Sequence, residues 1–217
     1  DVVIVGAGAA GSSAAFHLAK AGKKVTVLEK NPSKLLKPCG GGMASSVQKF
    51  FPFLLDPIIE EVINKVEFTW RLSDKVIADL PGDSPFWIVK REKLDEFLLN
   101  KAINEGAQLL RSFKVIKLQR NAERWQITSE HGKEIEAKAV VIADGSKSLW
   151  TSKFNLGPRN IHYASTTSVR IQGRGNIPAN TSRFEFGLVH HGFAWAFPIR
   201  DSVNIGVGTF IGNKQLA

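Results

Sequence analysis

Asp1-Val2-Val3-Ile4-Val5-Gly6-Ala7-Gly8-Ala9-Ala10-Gly11 opens the chain, and Glu29 closes a second apolar run, Val25-Thr26-Val27-Leu28, eighteen residues further on. Val2 to Val5 has the short apolar character of a buried strand. The glycines at 6, 8 and 11 follow at the spacing of a dinucleotide-binding turn. Gly6 permits the tight turn, Gly8 lets the backbone approach a pyrophosphate, and Gly11 allows a helix to pack closely on the strand. An amphipathic helix is expected from Ser12 to Ala21, stopped by Gly22, with Val25 to Leu28 as the next strand. The amino end of that helix, with Ala9 and Ala10, offers N–H groups and a partial positive charge to phosphates. Glu29 is placed to accept hydrogen bonds from a ribose diol, with Lys30 beside it. The strand, the helix and the acid together make the glycine spacing a nucleotide site rather than a glycine-rich turn.

The bulk properties suit a folded domain. The 217 residues are 43% hydrophobic and 23% charged, enough for one large domain or two small ones. A net charge of +9 comes from basic residues scattered through the chain. Such a surface attracts acidic substrates or an anionic membrane face. No nucleic-acid-binding motif accompanies it, so nucleic acid is not expected as a partner. The single cysteine excludes an internal disulfide framework and fits a reducing compartment. No apolar run approaches the ~20 residues of a membrane span. The chain begins without Met at the mouth of its first strand and reads as part of a longer protein, so a targeting segment is not assessable.

Beyond the first unit, a Lys-, Pro- and Gly-rich loop runs from Asn31 to Met43. Helices are expected over Ala44 to Phe53 and, capped by Asp56 ahead of Pro57, over Asp56 to Ile63. Strands are expected at Lys65 to Leu72, Val76 to Leu80 and Phe86 to Lys90. A helix over Glu92 to Glu105 puts Leu94, Phe97, Leu98, Ala102 and Ile103 on one face and stops at Gly106. Strands follow at Leu109 to Leu118, Arg124 to Ser129 and Glu134 to Ile142. The wholly apolar end of the last suits a central parallel strand. After Pro158 the pattern turns to strands with little helix: Tyr163 to Gln172, Arg183 to Leu188, Gly192 to Pro198 and Ser202 to Phe210.

Four clusters outside the opening turn bear on chemistry. Lys37-Pro38-Cys39-Gly40-Gly41-Gly42-Met43 contains three consecutive glycines, which are entropically costly and suit a backbone that something bulky must lie against. Cys39 within it is a reactive thiol, a packing residue or a neighbour of a cofactor ring. Arg91, before the Glu92 helix, is a solvated cation or a planar donor for phosphate and ribityl oxygens. Asp144 and Gly145 end the apolar strand in a turn. They form a second approach to the cofactor, or Asp144 or Ser146 simply caps a following helix. Phe193, Trp195 and Phe197 recur at period two, as one buried face of a sheet or as the apolar wall of a substrate pocket. His190 and His191 lack further ligands at metal-binding spacing, so no metal is expected.

Taken in order, these clusters resemble the geranylgeranyl reductase family of flavoproteins, within the para-hydroxybenzoate-hydroxylase-like FAD superfamily. Gly6, Gly8, Gly11 and Glu29 look like its FAD fingerprint, and Lys37-Pro38-Cys39-Gly40-Gly41-Gly42 like its Cys-Gly-Gly loop beside the isoalloxazine. Arg91 with Leu94, Asp95 and Leu98 is similar to its Arg-x-x-(aromatic or Leu)-Asp-x-x-Leu segment, whose Arg contacts FAD. Asp144, Gly145 and Ser148 resemble its Asp-Gly-x-x-Ser motif. Gly192 to Pro198 resembles its Gly-Tyr-x-Trp-x-Phe-Pro motif, which lines the isoprenoid cavity, with Phe193 in place of Tyr. Thr151 stands where the superfamily often has Arg. The third FAD motif, Gly-Asp-Ala, is absent and would normally lie beyond Ala217.

The resemblance implies an α/β fold: a Rossmann-like FAD-binding domain with an antiparallel β-sheet substrate domain. The FAD domain is expected over residues 1–63 and 91–155, the substrate domain over 64–90 and 156–217, both incomplete. It also implies FAD-dependent saturation of C=C bonds in a geranylgeranyl chain, carried by a chlorophyll-type pigment, a diphosphate or an isoprenoid lipid. The implied electron donor is NADPH or ferredoxin. Cys39 is the candidate catalytic residue, near the reacting carbon. Phe193, Trp195 and Phe197 are the candidate substrate contacts. A cytoplasmic protein, or one peripheral at a membrane surface, is expected. The alternatives are a flavin monooxygenase of the same superfamily and a non-catalytic nucleotide- or prenyl-binding module.

Overall fold

The computed structural model describes residues 1–33, 38–83, 85–157 and 162–211. Strand β1 (Val2–Val5) leads through helix α1 (Ala9–Lys20) to strand β2 (Val25–Leu28). Strand β3 (Gly42–Ala44) and two 3-10 turns, Ser45–Phe50 and Asp56–Ile58, precede β4 (Ile59–Ile63). Then come β5 (Lys65–Trp70), β6 (Ser73–Asp79), β7 (Phe86–Val89) and helix α2 (Arg91–Asn104). Strands β8 (Gln108–Leu110), β9 (Val115–Asn121), β10 (Arg124–Ser129), β11 (Glu134–Ala137) and β12 (Ala139–Ile142) lead to a short helix, α3 (Leu149–Lys153). Strands β13 (Tyr163–Gln172), β14 (Thr181–Phe186), β15 (Gly192–Ile199) and β16 (Ser202–Ile211) follow.

The chain divides into two compact units, Asp1–Leu36 with Glu92–Pro158, and Lys37–Arg91 with Arg159–Ala217. The crossing into the second unit comes at residue 37, whereas the sequence reading drew its boundary after 63. Strands β3 and β4 both pair with β7, which draws residues 42–63 into that unit.

The first unit holds a parallel sheet in the order β12-β1-β2-β8. Its helix α1 buries Gly11, Ser12, Ala15, Phe16 and Ala19, a stripe at helical period. Gly22, at φ +75°, ends it, and Lys23 N–H reaches back to Leu18 O at 3.0 Å. A three-stranded antiparallel sheet, β11-β10-β9, shares a core of Val3, Leu28, Phe113, Leu118, Ile127, Ala137 and Trp150. Strand β12 lies at one end of the described parallel sheet, not at its centre. Its apolar side chains serve a different purpose, since Val140 and Ile142 pack on the core shared with the antiparallel sheet. Two expected long strands are each broken. Lys138 and Ala139 both donate to Asp1 O, at 3.0 and 3.2 Å, where the chain changes sheets. Ser112, at φ +53°, separates β8 from β9.

The second unit holds a six-stranded sheet, β13-β16-β15-β14-β5-β6, and a three-stranded sheet, β3-β7-β4. All neighbours in both are antiparallel except β5 and β14. Ile63, Ile88, Trp195, Phe197 and Ile199 form its core. The helix expected over Asp56 to Ile63 is a 3-10 turn and a strand. Pairing with β7 overrides the helical spacing of Ile58, Ile59, Val62 and Ile63, and Glu60 is buried in ion pairs with Arg200 (3.0 Å) and Lys90 (3.7 Å). The helix expected over Ala44 to Phe53 is a 3-10 turn. The Gln48 side chain ends it by donating to Phe53 O (2.8 Å) and accepting from Leu55 N–H (3.0 Å).

Candidate functional site

In the first unit, three parallel strands end side by side and deliver Gly6, Glu29 and Asp144. Gly6 N–H donates to Leu28 O (2.8 Å), Glu29 N–H to Leu110 O (2.8 Å) and Ala143 N–H to Val5 O (2.9 Å). This is the carboxyl edge of the sheet, where open α/β folds bind ligands. Gly6 has φ +105°, and a Cβ there would overlap the Ala143 carbonyl and lie 3.1 Å from Asp144 Cα. The turns after β1 and β12 are therefore in contact. A Cβ at Gly11 would overlap the Gly6 carbonyl, which is the close helix–strand approach its position predicts.

Gly8 precedes α1 in extended conformation, and no side chain caps the helix. The first-turn N–H groups, at Ala9, Ala10 and Gly11, thus face outward at the positive end of the helix. Glu29 holds the turn closed. Its Oε2 accepts from Ala7 N–H (3.1 Å), and its Oε1 accepts from Asn31 N–H (3.0 Å) and Asn31 Nδ2 (2.7 Å). Lys30 is exposed beside it.

Asp144 does not cap a helix, and neither does Ser146. Ser148 caps α3, its Oγ accepting from Thr151 N–H at 3.2 Å. Asp144 Oδ1 is left buried with no hydrogen-bond partner. A buried acceptor without a donor is costly unless a ligand completes it. The uncapped helix start, the carboxylate of Glu29 and the orphaned oxygen of Asp144 together suit the phosphate and hydroxyl groups of a flavin nucleotide. Gly145, at φ +96°, makes the turn that presents Asp144.

In the second unit, the glycine loop lies on the aromatic motif. A Cβ at Gly40 would be 2.9 Å from Trp195 Nε1 and 3.0 Å from Phe197 Cε2. A Cβ at Gly41 would overlap the Val89 carbonyl, and one at Gly42 would be 2.5 Å from Phe86 Cζ. The three glycines are close-packed floor, not slack. Met43 is half-buried and pairs with Trp87 across β3 and β7. Lys37, expected at the start of this loop, lies outside the described residues.

The Cys39 side chain is exposed, and its carbonyl accepts from Asn204 Nδ2 at 3.4 Å. Asn204 Oδ1 in turn accepts from Trp195 Nε1 at 2.9 Å. Asn204 is thus the hinge-pin of this cluster, and sequence reasoning passed over it as one polar residue in a strand. Its only signal is that a buried tryptophan needs a partner for its indole N–H. Trp195 and Phe197 are buried and Phe193 half-buried, so two of the three aromatics belong to the core as well as to the loop's floor. Arg91 is half-buried and forms the first residue of α2, one position earlier than expected.

Residues 1–173 match the family model described as lycopene cyclase protein. The chain is 27% identical to the digeranylgeranylglycerophospholipid reductase of Methanococcus vannielii, over 99% of the chain and 56% of that protein. It is 31% identical to the menaquinone reductase of Mycobacterium tuberculosis, over 100% of the chain and 57% of that protein. A crystal structure of a geranylgeranyl bacteriochlorophyll reductase-like protein from Thermoplasma acidophilum superposes with a TM-score of 0.83 at 22% identity. It covers 97% of the chain and 56% of that protein. The chain therefore has the expected flavoprotein fold and spans about half the length of the curated relatives it matches.

Proposed function

This chain belongs to the lycopene cyclase family, and from that premise we propose that the full-length protein is an FAD-dependent reductase saturating C=C bonds of geranylgeranyl-type chains. The observation that carries the flavin reading is the buried, unpartnered Oδ1 of Asp144, a residue whose backbone lies against the Gly6 turn. The names of the reductase relatives support the substrate class. When bound, reduced FAD supplies a hydride to one alkene carbon.

The residues divide the remaining work. Gly6, Gly8, Ala9, Ala10 and Gly11 take the pyrophosphate, Glu29 and Lys30 the adenosine end, and Asp144 and Gly145 the ribityl chain. Arg91 donates to phosphate or ribityl oxygens. Gly40, Gly41 and Gly42 form the backbone platform that the family resemblance assigns to the flavin ring, and Met43 follows as a further cofactor contact. Cys39, whose carbonyl is anchored while its thiol stays exposed, delivers a proton to the second alkene carbon or positions the alkene. Phe193, Trp195 and Phe197 orient the chain and exclude water, which an unactivated alkene requires.

NADPH or ferredoxin is the proposed donor, and the cytoplasm or a membrane surface the proposed location. No described helix is long and apolar enough to cross a membrane. The test is anaerobic. The purified full-length protein is reduced chemically and mixed with a geranylgeranyl substrate, and flavin reoxidation is followed alongside product mass. Reoxidation with a gain of two hydrogens per bond supports the reading. A protein that takes up no flavin, or whose reduced flavin is stable to every prenyl substrate, overturns it.

A further inference from the structure

Strand alternation puts Phe184 and Phe186 of β14, and Phe68 and Trp70 of β5, on the same face of the six-stranded sheet as Phe193, Trp195 and Phe197. Phe184 faces Trp195 on one side and Phe68 on the other, and Phe186 faces Trp70. The rings touch in sequence: Phe197 to Phe184 at 5.2 Å, Phe184 to Phe68 at 5.9 Å, and Phe186 to Phe193 at 5.9 Å. Val76 continues the row opposite Phe68. At adjacent-strand spacing the band crosses about 14 Å from β15 to β6.

Exposure rises along it. Trp195 and Phe197 are 8% and 6% exposed at the glycine loop, and Phe68, Trp70 and Val76 are 38%, 52% and 62% exposed at the far end. The opposite face of the same two strands is polar. There Glu67 pairs with Arg183 at 2.6 Å and Glu185 accepts from Thr69, so charge is kept off the aromatic face.

Trp70 is also held in place. Arg71 and Leu72 after it have φ of +51° and +63°, a conformation costly for bulky residues. Arg71 N–H to Phe186 O (2.9 Å) and Leu72 N–H to the buried Glu185 (3.1 Å) sustain it. Gly187 admits the indole, since a Cβ there would lie 3.0 Å from Trp70 Cε2.

We propose that this band is a track for the prenyl hydrocarbon, and that Phe68 and Trp70 at its outer end set how long a chain is accepted. The inference rests on the reductase reading for the identity of the chain. The occupant is an apolar chain because the row is built of rings and Val76, and the buried Trp195 indole N–H is already taken by Asn204. The row is also continuous with the Trp195 floor beneath Gly40.

The test uses the full-length, flavin-loaded protein and prenyl diphosphates of two, three and four isoprene units. The readout is the anaerobic reoxidation of reduced flavin. Phe68→Ala and Trp70→Ala should slow the four-unit substrate about tenfold and leave the two-unit substrate unchanged. Val169→Ala, an exposed apolar position on the opposite face, should change neither. An equal loss at all lengths, or no loss at any, overturns the track, as does lowered thermal stability with an unchanged length profile.

A second readout needs no turnover. Four-unit prenyl alcohol added to the oxidised protein should blue-shift tryptophan emission, and Trp70→Phe should abolish that shift. If wild-type reduced flavin is stable to every prenyl substrate, the reductase reading fails and this readout decides the track alone. A saturable shift lost in Trp70→Phe then supports it, and no shift overturns it.

Discussion

The Trp195 indole occupies the space that a Cβ on Gly206, its partner across β15 and β16, would have to share. Replacing glycine by alanine in a strand ordinarily stabilises by about 0.4–1 kcal/mol through the unfolded chain. Here the overlap dominates, because the ring's Nε1 is already close to Gly40 and tied to Asn204. Gly206→Ala should destabilise the protein by about 1–3 kcal/mol, the usual penalty of overpacking. Urea unfolding with an unchanged slope checks it, and a stabilised variant refutes the contact.

Asn204 joins the Trp195 indole to the Cys39 carbonyl. Asn204→Leu keeps the volume and strands a buried indole N–H, which costs about 1–3 kcal/mol. Asn204→Asp keeps the acceptor for Trp195 and removes the donor to Cys39. The Asp variant should retain FAD and slow alkene reduction more than flavin reduction by the donor. Equal slowing of both half-reactions would contradict the role of Asn204 in holding the Cys39 loop.

Both carboxylate oxygens of Glu29 accept hydrogen bonds inside the turn before any ligand arrives. Glu29→Gln therefore cannot be neutral, since its NH2 group must face Ala7 N–H or the Asn31 donors. Glu29→Ala should weaken FAD binding by about 1–3 kcal/mol and also lower the apoprotein's melting temperature. Calorimetric titration with FAD and thermal unfolding of the apoprotein separate the two effects. Unaltered affinity in the Ala variant would remove Glu29 from the ribose.

Cys39→Ser should retain FAD and its reduction by the donor while losing most alkene reduction. A hydroxyl is a much weaker acid than a thiol, and loss of a general acid costs about 10²–10⁴-fold. The single-turnover reoxidation of reduced flavin by a prenyl substrate without oxygen is the measurement. A rate within about threefold of the parent, far short of that range, would reduce Cys39 to a loop residue.

Legibility in the sequence followed the range of the interactions. The β1–α1–β2 unit was readable because its period, its glycines and Glu29 all lie within one short stretch. The segment from Asp56 to Ile63 was not, because its apolar residues fit a helix locally. Its strand exists only by pairing with β7 and by the Arg200 ion pair to Glu60. The apolar run at β12 suits a central strand by sequence, whereas its side chains serve a second sheet. At the site, Gly6 and Asp144 were singled out separately, yet their contact appears only once β1 and β12 are adjacent. Asn204 carries no local pattern, and the outer aromatics, Phe68 with Trp70 and Phe184 with Phe186, show period two only within their own strands. Their meaning lies in cross-strand register, which one sequence does not display.

Each glycine of the 40–42 run has its own nearest obstruction: Gly40 has the Trp195 indole, Gly41 the Val89 carbonyl and Gly42 the Phe86 ring. Relieving one obstruction leaves the other two in force, so no single compensating substitution opens the loop to drift. Cys39, immediately before them, meets no such obstruction, for its side chain is exposed. A saturation library across positions 39–42 thus carries its own calibration. Variants at the three glycines will be depleted by any selection for folded protein. Variants at Cys39 will survive that selection and fall only under one for turnover. The boundary between selection for architecture and selection for chemistry then runs along a single peptide bond.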